Sequence, residues 1–265
     1  MRSIDLHTHV LPAVDDGPAT LEGSLELARA AEAAGTAVLA ATPHVNDSRF
    51  IEPAAIPGAV DELNGHLHAA GIGVEVVAGG EIALPRVLDL SEAELAGLGL
   101  GGGPWVLLES PFAAVGAFEA LILEVHARGH PVLLAHPERC AAFQRDPARL
   151  ERLVESGVRL QVTAGALTGA FGSKVREFSL RLLRGGLVHV IASDAHDAIR
   201  RPPGIAAAIE AAERAIPGVA ARGPWLTEAV PAAMLAGQPL PEPPPLVEQP
   251  RSGRWRRRLG AVGRR

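Results

Sequence analysis

Residues 3–18, SIDLHTHVLPAVDDGP, contain the features on which the fold and the candidate site of this chain depend. The apolar start, SIDL, is typical of a short buried strand of a parallel sheet. It leads directly into His7 and His9, and the loop that follows contains Asp15 and Asp16. Because successive side chains of a strand point to opposite faces, the two imidazoles lie on the same side and can bind one metal ion. The segment therefore predicts a strand that presents metal ligands at its carboxyl end.

The same pattern recurs six more times along the chain. Each run is short and apolar and is followed by a segment of helical character. The runs are TAVLAAT, VEVVAG, WVLLE, PVLLAH, RLQVTAG and HVIASD. Seven strand–helix units suit either an open doubly wound sheet or a closed barrel. We expect an α/β fold of the second kind, a distorted (β/α)7 TIM-like barrel, because almost every strand ends in a residue type that binds metals.

The C-terminal end differs in composition from the rest of the 265-residue chain, which is 48% hydrophobic. We expect a barrel domain over residues 1–238, a Pro-rich linker over 239–250 and a disordered basic tail over 251–265. The tail has seven Arg and no acid, which leaves 18 of the 25 basic residues against 30 acidic residues in the remainder. Such a tail suits weak contact with an anionic membrane surface better than with nucleic acid, or it has no specific role.

Composition also excludes several classes of protein. No apolar run reaches the ~18 residues of a membrane-spanning helix, and the N-terminus lacks an apolar signal core, so we expect a cytoplasmic protein, with possible peripheral contact at the inner membrane face. The single cysteine, Cys140, excludes intramolecular disulfides and thiolate-rich zinc sites. The sequence also argues against a cysteine phosphatase, because Asp146 occupies the position where such enzymes carry a phosphate-binding Arg.

Candidate metal ligands follow six of the seven predicted strands. After His7, His9 and Asp16 at the first strand, they are His44, Glu81, Glu109, His136, Asp194 and His196. Only the sixth strand, which ends at Thr163, offers no strong ligand. Burying so many ionisable groups unpaired would cost several kcal/mol each, which favours a multi-metal centre over structural roles. The remaining histidines, His66, His68, His126, His130 and His189, are expected to be structural.

Two arginines adjoin this predicted cluster. Arg139 lies three residues after His136, and Arg201 lies five residues after His196. Forked guanidinium donors match the oxygens of a phosphate and complement the charge of bound metals. Exposed salt bridges are the alternative interpretation of both residues.

The ordered motifs HxH, DDG, TPH, GxE, E, HPER and SDxH resemble the PHP (polymerase and histidinol phosphatase) superfamily. The closer similarity is to bacterial protein-tyrosine phosphatases of the CpsB/YwqE type, which act in capsule and exopolysaccharide biosynthesis. It rests on IDLHTHVLPAVDDGP (4–18), ATPH (41–44), GGEIAL (79–84), AHPER (135–139) and SDAHDAIRRPP (193–203). Ser110 and Thr163 depart from the family pattern, so we expect a different substrate rim.

The resemblance implies a barrel with three divalent metal ions, most often Mn²⁺, with Fe²⁺ or Zn²⁺ also compatible with nitrogen and oxygen ligands. One ion would be bound by His7, His9, Glu81 and Asp194, a second by Glu81, Glu109 and His136, and a third by Asp16, His44 and His196. Arg139 and Arg201 would bind phosphate while hydroxide activated by the metals attacks phosphorus. The implied substrate is phosphotyrosine on a bacterial tyrosine autokinase that controls polysaccharide export.

Two other functions remain open at this point. The same residues would serve a phosphatase of small molecules such as histidinol phosphate or a sugar phosphate. Alternatively, the chain is a kinase-binding regulator whose metals are structural.

Overall fold

The computed structural model describes residues 2–47, 51–112 and 118–245, and the fold is an α/β barrel of parallel strands. The strands are β1 (Ser3–Thr8), β2 (Thr36–Ala41), β3 (His44–Val45), β4 (Glu75–Ala78), β5 (Glu81–Ala83), β6 (Val106–Glu109), β7 (Val132–Ala135), β8 (Arg159–Thr163) and β9 (Val190–Ala192). The helices are α1 (Leu21–Ala33), α2 (Ile56–Ala69), α3 (Glu92–Gly97), α4 (Phe118–Ala127), α5 (Ala141–Arg145), α6 (Ala148–Glu155), α7 (Ala164–Thr168), α8 (Ser173–Arg184), α9 (Ile205–Ala215) and α10 (Val230–Leu235).

Two of the barrel positions hold an interrupted strand. One sheet has the order β1-β2-β4 and the other β3-β5-β6-β7-β8-β9, with all pairs parallel. β3 continues β2 after Thr42-Pro43, and β5 continues β4 after Gly79-Gly80. Proline has no backbone N–H to donate, which accounts for the first break. Counting each interrupted strand once, the described strands occupy seven positions, as predicted for a (β/α)7 barrel.

The barrel closes between its first and last strands. The amide of Asp194 donates to the carbonyl of His7 at 2.9 Å, and the amide of His9 donates to the carbonyl of Ala195 at 2.9 Å. Thr8 and Ala195 form a parallel bridge. These bonds join the two sheets beside the ends of β1 and β9, and they bring two of the predicted ligand segments into contact.

The strands are apolar on both sides, as buried parallel strands are. In β6, Val106, Leu107 and Leu108 are all fully buried. The helices cover the outside with one apolar face each. In α1, for example, Thr20 caps the N-terminus by accepting from the Gly23 amide, and Leu25 and Ala28 turn inward.

The described part of the predicted linker lies against the barrel. Trp225 Nε1 donates to the carbonyl of Pro241 at 2.9 Å, and Arg222 Nε donates to that of Pro244 at 2.7 Å. Residues 239–245 contain no helix or strand, as their proline content predicts. The division at residues 238/239 stays a prediction, and the disordered tail predicted at 251–265 lies outside the described residues. Every helix in the described ranges is too short or too polar to span a membrane.

Candidate metal centre

The predicted site residues cluster at the carboxyl ends of the strands, where all of them except the buried His7 and His9 line one cavity. The cavity has a volume of about 130 Å³, and its lining includes both predicted arginines. Four overlapping groups of side chains bring their ligand atoms within 4.8 Å of one another. The groups are His9, Asp16, His44 and His196; His7, Glu81 and His136; His7, His9 and Asp194; and His44, Glu81 and Glu109. Each of the nine predicted metal ligands belongs to at least one group.

Glu81 lies at the centre of the cluster and is 1% exposed. Its Oε1 is 2.7 Å from His136 Nε2, and its Oε2 is 2.9 Å from His44 Nδ1. The same Oε2 is 3.4 Å from His7 Nε2 and 3.5 Å from His9 Nε2. Burial opposes ionisation, but the surrounding imidazoles hold the pKa of Glu81 well below its usual range. The carboxylate is therefore ionised and shared among several potential metal positions.

His7 and His9 point the same ring nitrogen at the carboxylates of Glu81 and Asp194. Their Nε2 atoms are 3.3 Å apart. Each Nδ1 is engaged on the opposite side, His7 by Gln161 Oε1 at 3.1 Å and His9 by Asp15 Oδ2 at 2.6 Å. An N–H on each Nδ1 leaves the Nε2 lone pairs facing each other, an arrangement that a cation between them stabilises.

The cluster favours positive charge at its centre. Burial lowers the pKa of His9, but hydrogen bonds to Asp15, Asp194 and Glu81 outweigh it and raise this pKa well above the usual value. Glu81 Oε2 and His196 Nε2 are buried and have ion-pair contacts, with His44 Nδ1 at 2.9 Å and with Asp16 Oδ1 at 3.3 Å, but no well-directed hydrogen bond within the described residues. Buried acceptors of this kind are stabilised when a cation binds them. The donor set therefore fits divalent metal ions.

Two of the ligands have a strained backbone. His136 has φ of 36° and Asp194 has φ of 54°, both in the left-handed region that residues with a side chain rarely adopt. For His136 the next residue, Pro137, also disfavours the ordinary helical conformation. Strain of this type costs about 1–3 kcal/mol per residue and tends to occur at functional sites. Here it turns both side chains into the cavity.

Asp194 links the metal cluster to the two arginines. Its Oδ1 is 3.5 Å from Nε2 of His7 and of His9. Its Oδ2 accepts from Arg201 Nη2 at 2.6 Å and from Arg139 Nη1 at 3.2 Å. One carboxylate thus places both guanidinium groups beside the predicted metal positions.

Aromatic rings hold Arg139 from two sides. Its guanidinium carbon is 4.5 Å from the ring centroids of Phe112 and of Phe171. Phe112 also stacks on the His136 ring at 5.6 Å and is 49% exposed. Cation–π contacts with two rings restrict the position of the guanidinium of Arg139, which lines the cavity.

Glu109 is placed beside Glu81 and shares His44 with it. Burial, reinforced by the charge of Glu81, raises the pKa of Glu109 to about 7. Two adjacent carboxylates repel each other, and a cation held between them would relieve that repulsion.

Sequence reasoning missed the residues that orient the ligands. Asp15 lies in the DDG motif, but only its neighbour Asp16 was predicted as a ligand, whereas Asp15 binds His9 and also accepts from the His44 amide at 3.0 Å. Gln161 comes from the strand to which no ligand was assigned. Its position two residues before Thr163 places both on the inward face of β8, and this alternation is the signal that could have found it.

Two further buried acids support the strand ends. Asp5 accepts from the Ser193 amide at 2.9 Å, and Glu138 accepts from the Thr163 amide at 2.9 Å. Burial raises the pKa of Asp5 to about 6 and that of Glu138 to about 7. They contact backbone rather than the cavity.

The expectation of a different substrate rim stays a prediction. Ser110 and Thr163 are each 1% exposed, as Glu81 is, and they are not among the residues that line the cavity of the metal centre. The other five histidines lie outside the metal-binding groups formed by the described residues. Cys140 is fully buried, as expected of a small core residue.

The fold and the site together place the chain among (β/α) barrel proteins that carry potential metal ligands at the carboxyl ends of their strands. Residues 3–222 match the family described as capsular polysaccharide synthesis, CpsB/CapC, and the chain belongs to this family. It is 39% identical over 196 residues to tyrosine-protein phosphatase YwqE of Bacillus subtilis (strain 168), which covers 73% of this chain and 77% of the relative. It is 31% identical over 205 residues to a putative tyrosine-protein phosphatase CapC of Staphylococcus aureus, covering 75% and 79%.

A solved structure extends the similarity to three dimensions. It comes from work on YwqE from Bacillus subtilis and CpsB from Streptococcus pneumoniae, described as unique metal-dependent tyrosine phosphatases. The TM-score is 0.80 at 34% identity, with 93% of this chain and 100% of the other covered. The similarity therefore includes almost the whole barrel.

Proposed function

We propose that this chain is a metal-dependent protein-tyrosine phosphatase that hydrolyses phosphotyrosine on a bacterial tyrosine kinase of polysaccharide synthesis. The observation that carries the proposal is the convergence of four overlapping metal-binding groups with two arginines in one cavity. The relatives named above, which are tyrosine phosphatases by name, support the same activity.

The distances support the division of the ligands into three metal sites. For one ion, His7, His9 and Asp194 form a group with Glu81 close by. For a second, Glu81 lies between His136 and Glu109. For a third, Asp16 Oδ1 is 3.3 Å from Nε2 of both His44 and His196. Nitrogen and oxygen donors without sulfur suit Mn²⁺, while Fe²⁺ and Zn²⁺ are alternatives for the test to distinguish.

The residues of the chain have separate roles in the proposed reaction. Divalent metals bound here would supply an activated water for attack on phosphorus. Arg139 and Arg201, both directed at the same edge of Asp194, bind the phosphate oxygens and stabilise the charge that develops on them. A phenolate leaving group, with a pKa of about 10, needs little protonation, so tyrosyl phosphate requires no strong general acid.

The mouth of the cavity favours a phosphate carried on a protein. The side chain of Asp16 is 37% exposed, that of Arg201 is 31% exposed and Phe112 is 49% exposed, so the cavity opens to solvent. A small phosphomonoester such as histidinol phosphate would gain little enclosure here. A phosphotyrosine on an extended segment can reach the arginines without unfolding its host.

Hydrolysis assays on the Mn²⁺-loaded chain test the proposal. We expect a phosphotyrosyl peptide to be hydrolysed faster than histidinol phosphate, and Arg139→Ala to lower kcat/KM by about 100-fold or more. Arg145→Ala, an exposed change on nearby α5, serves as the matched control. Preference for histidinol phosphate would support the small-molecule phosphatase instead. Full regulatory effect of the inactive Arg139→Ala chain on a kinase would support the regulator.

The place of action is part of the proposal. We infer a cytoplasmic protein whose residues 251–265 contact an anionic membrane surface near the kinase. Sedimentation with anionic liposomes, with and without these residues, tests the contact. Equal binding of the full chain and of the chain without residues 251–265 would rule out the proposed membrane contact.

A further inference from the structure

A second and larger cavity adjoins the metal centre. It has a volume of about 410 Å³, against about 130 Å³ for the cavity of the metal centre. Asp194 and Arg201 line both cavities, so the two adjoin each other at the phosphate-binding arginine. We call the larger one the flanking groove. Phe171 lines it and is also one of the two rings that hold Arg139.

The size of the metal-centre cavity leaves most of a peptide substrate outside it. The smaller volume suits a phosphoryl group at the ligand cluster, whereas the chain on either side of the phosphotyrosine must lie beyond the arginines. Consecutive Cα atoms are only about 3.8 Å apart, so residues next to the phosphotyrosine stay within a side-chain length of the mouth. Among the described residues, the flanking groove is a cavity that adjoins this mouth and shares Asp194 and Arg201 with it.

The walls of the flanking groove are mainly apolar. Phe171, Pro202 and Ala207 line it, together with Thr168. The charged residues of its lining are Asp194, whose carboxylate is paired with two arginines, and Arg200 and Arg201. Arg200 is exposed at the edge. Apolar walls beside exposed positive charge match an apolar side chain of an anionic peptide.

We propose that the flanking groove is a subsite for an apolar side chain adjacent to the phosphotyrosine of the protein substrate. This inference rests on the proposed phosphatase function and adds a residue preference to it. Removing one aliphatic side chain from water is sufficient for discrimination of about tenfold or more in kcat/KM. The groove thereby selects among phosphotyrosines, whereas the metal centre recognises the phosphate alone.

Filling the groove from an exposed position tests the proposal. Ala207 is exposed on α9, so Ala207→Trp narrows the groove without changing the core. Ala206→Trp is the matched control, because Ala206 is exposed on the same helix but lines a separate cavity beside Ser3 and Ala34. Thr168→Trp, on another exposed residue of the groove, is a second variant.

Three substrates are compared with the Mn²⁺-loaded full chain. They are p-nitrophenyl phosphate and two phosphotyrosyl peptides that differ only in having Leu or Ser on both sides of the phosphotyrosine. We expect the natural chain and Ala206→Trp to prefer the Leu peptide by about tenfold, mainly through KM. In Ala207→Trp and Thr168→Trp this ratio should fall below about threefold. Using ratios within each variant cancels any general loss of activity.

Each other outcome overturns the inference. Equal rates for the two peptides in the natural chain, or an unchanged ratio in both groove variants, would show that the groove does not bind flanking residues. If Ala207→Trp and Thr168→Trp lost the same fraction of activity toward p-nitrophenyl phosphate and toward both peptides, the groove would bind the aromatic ring that carries the phosphate instead of a flanking residue. Failure of the natural chain to hydrolyse any of the three would overturn the proposed function, and the subsite with it.

Discussion

Replacing Gln161 by Met tests whether a residue that never touches metal controls metal affinity. Gln161 and His7 are both fully buried, and Gln161 Oε1 accepts from His7 Nδ1 at 3.1 Å. This bond fixes the proton on Nδ1 and leaves Nε2 free to bind a metal ion. Met has a similar length and volume but no carbonyl, so Gln161→Met releases the imidazole while filling the same space.

The expected effect on metal binding is measured separately from the expected effect on folding. Loss of the partner of a metal-binding His typically lowers affinity by about 10–100-fold, which is about 1.4–2.8 kcal/mol. The variant also loses two hydrogen bonds, the one from His7 Nδ1 and one from the His136 amide at 3.4 Å, each worth about 1 kcal/mol of folding free energy. The absence of Gln161 Nε2 from the variant offsets part of this loss of folding free energy, because that atom is buried without a partner in the described residues.

Competition with a chelator measures the affinity. Mn²⁺ retained by the natural chain, Gln161→Met and the exposed control Gln238→Met is determined against increasing chelator, and urea unfolding of the metal-free proteins gives their stability. We expect Gln161→Met to lose Mn²⁺ at about 10–100-fold lower chelator concentration. Retention equal to that of the natural chain would refute the role of the Gln161–His7 bond.

Three further changes test the account at separate points. Burial lowers the pKa of His189 to about 3, so the unfolded chain binds more protons and stability falls as pH drops below about 6.5. His189→Asn keeps an acceptor for the Leu160 amide. In urea unfolding, it should reduce the decrease in free energy of unfolding between about pH 6.5 and 4 by about 1–3 kcal/mol. A decrease equal to that of the natural chain would contradict this prediction. Gly17→Ala would place a Cβ 2.1 Å from the His9 carbonyl oxygen, so we expect a lower Tm and weaker metal binding. A Tm equal to that of the natural chain would contradict the geometry of this loop. Because burial raises the pKa of Glu109 to about 7, metal affinity should rise from about pH 6 to 8, and Glu109→Gln should flatten that rise in chelator competition.

The fold and the ligand set could be predicted because both depend on local patterns. Apolar runs with ligand-type residues at their ends specify parallel strands and the edge at which their side chains meet. The interruptions between β2 and β3 and between β4 and β5 were harder to predict from the sequence. TAVLAATPH reads as one strand and its end, yet Pro43 cannot donate to a ladder, and β3 pairs in the other sheet.

The supporting residues could not be predicted because they depend on contacts across the barrel. Gln161 is not a typical metal ligand, so its strand contained no recognisable signal. Phe112 and Phe171 belong to different loops, and only the closed barrel brings both rings to 4.5 Å from the guanidinium carbon of Arg139. Ser110 and Thr163 were linked to the substrate rim because they depart from the family pattern, and the sequence did not show that both side chains are buried.

Metal content measured together with activity tests the central claim most directly. Elemental analysis of gently purified protein, paired with Mn²⁺-dependent hydrolysis of a phosphotyrosyl peptide, is compared between the natural chain and His136→Ala. The account predicts more than one divalent ion per chain, three in our proposal, with hydrolysis lost and metal content lowered in His136→Ala. A metal-free natural chain that remains inactive after reconstitution with Mn²⁺, Fe²⁺ or Zn²⁺ would contradict it.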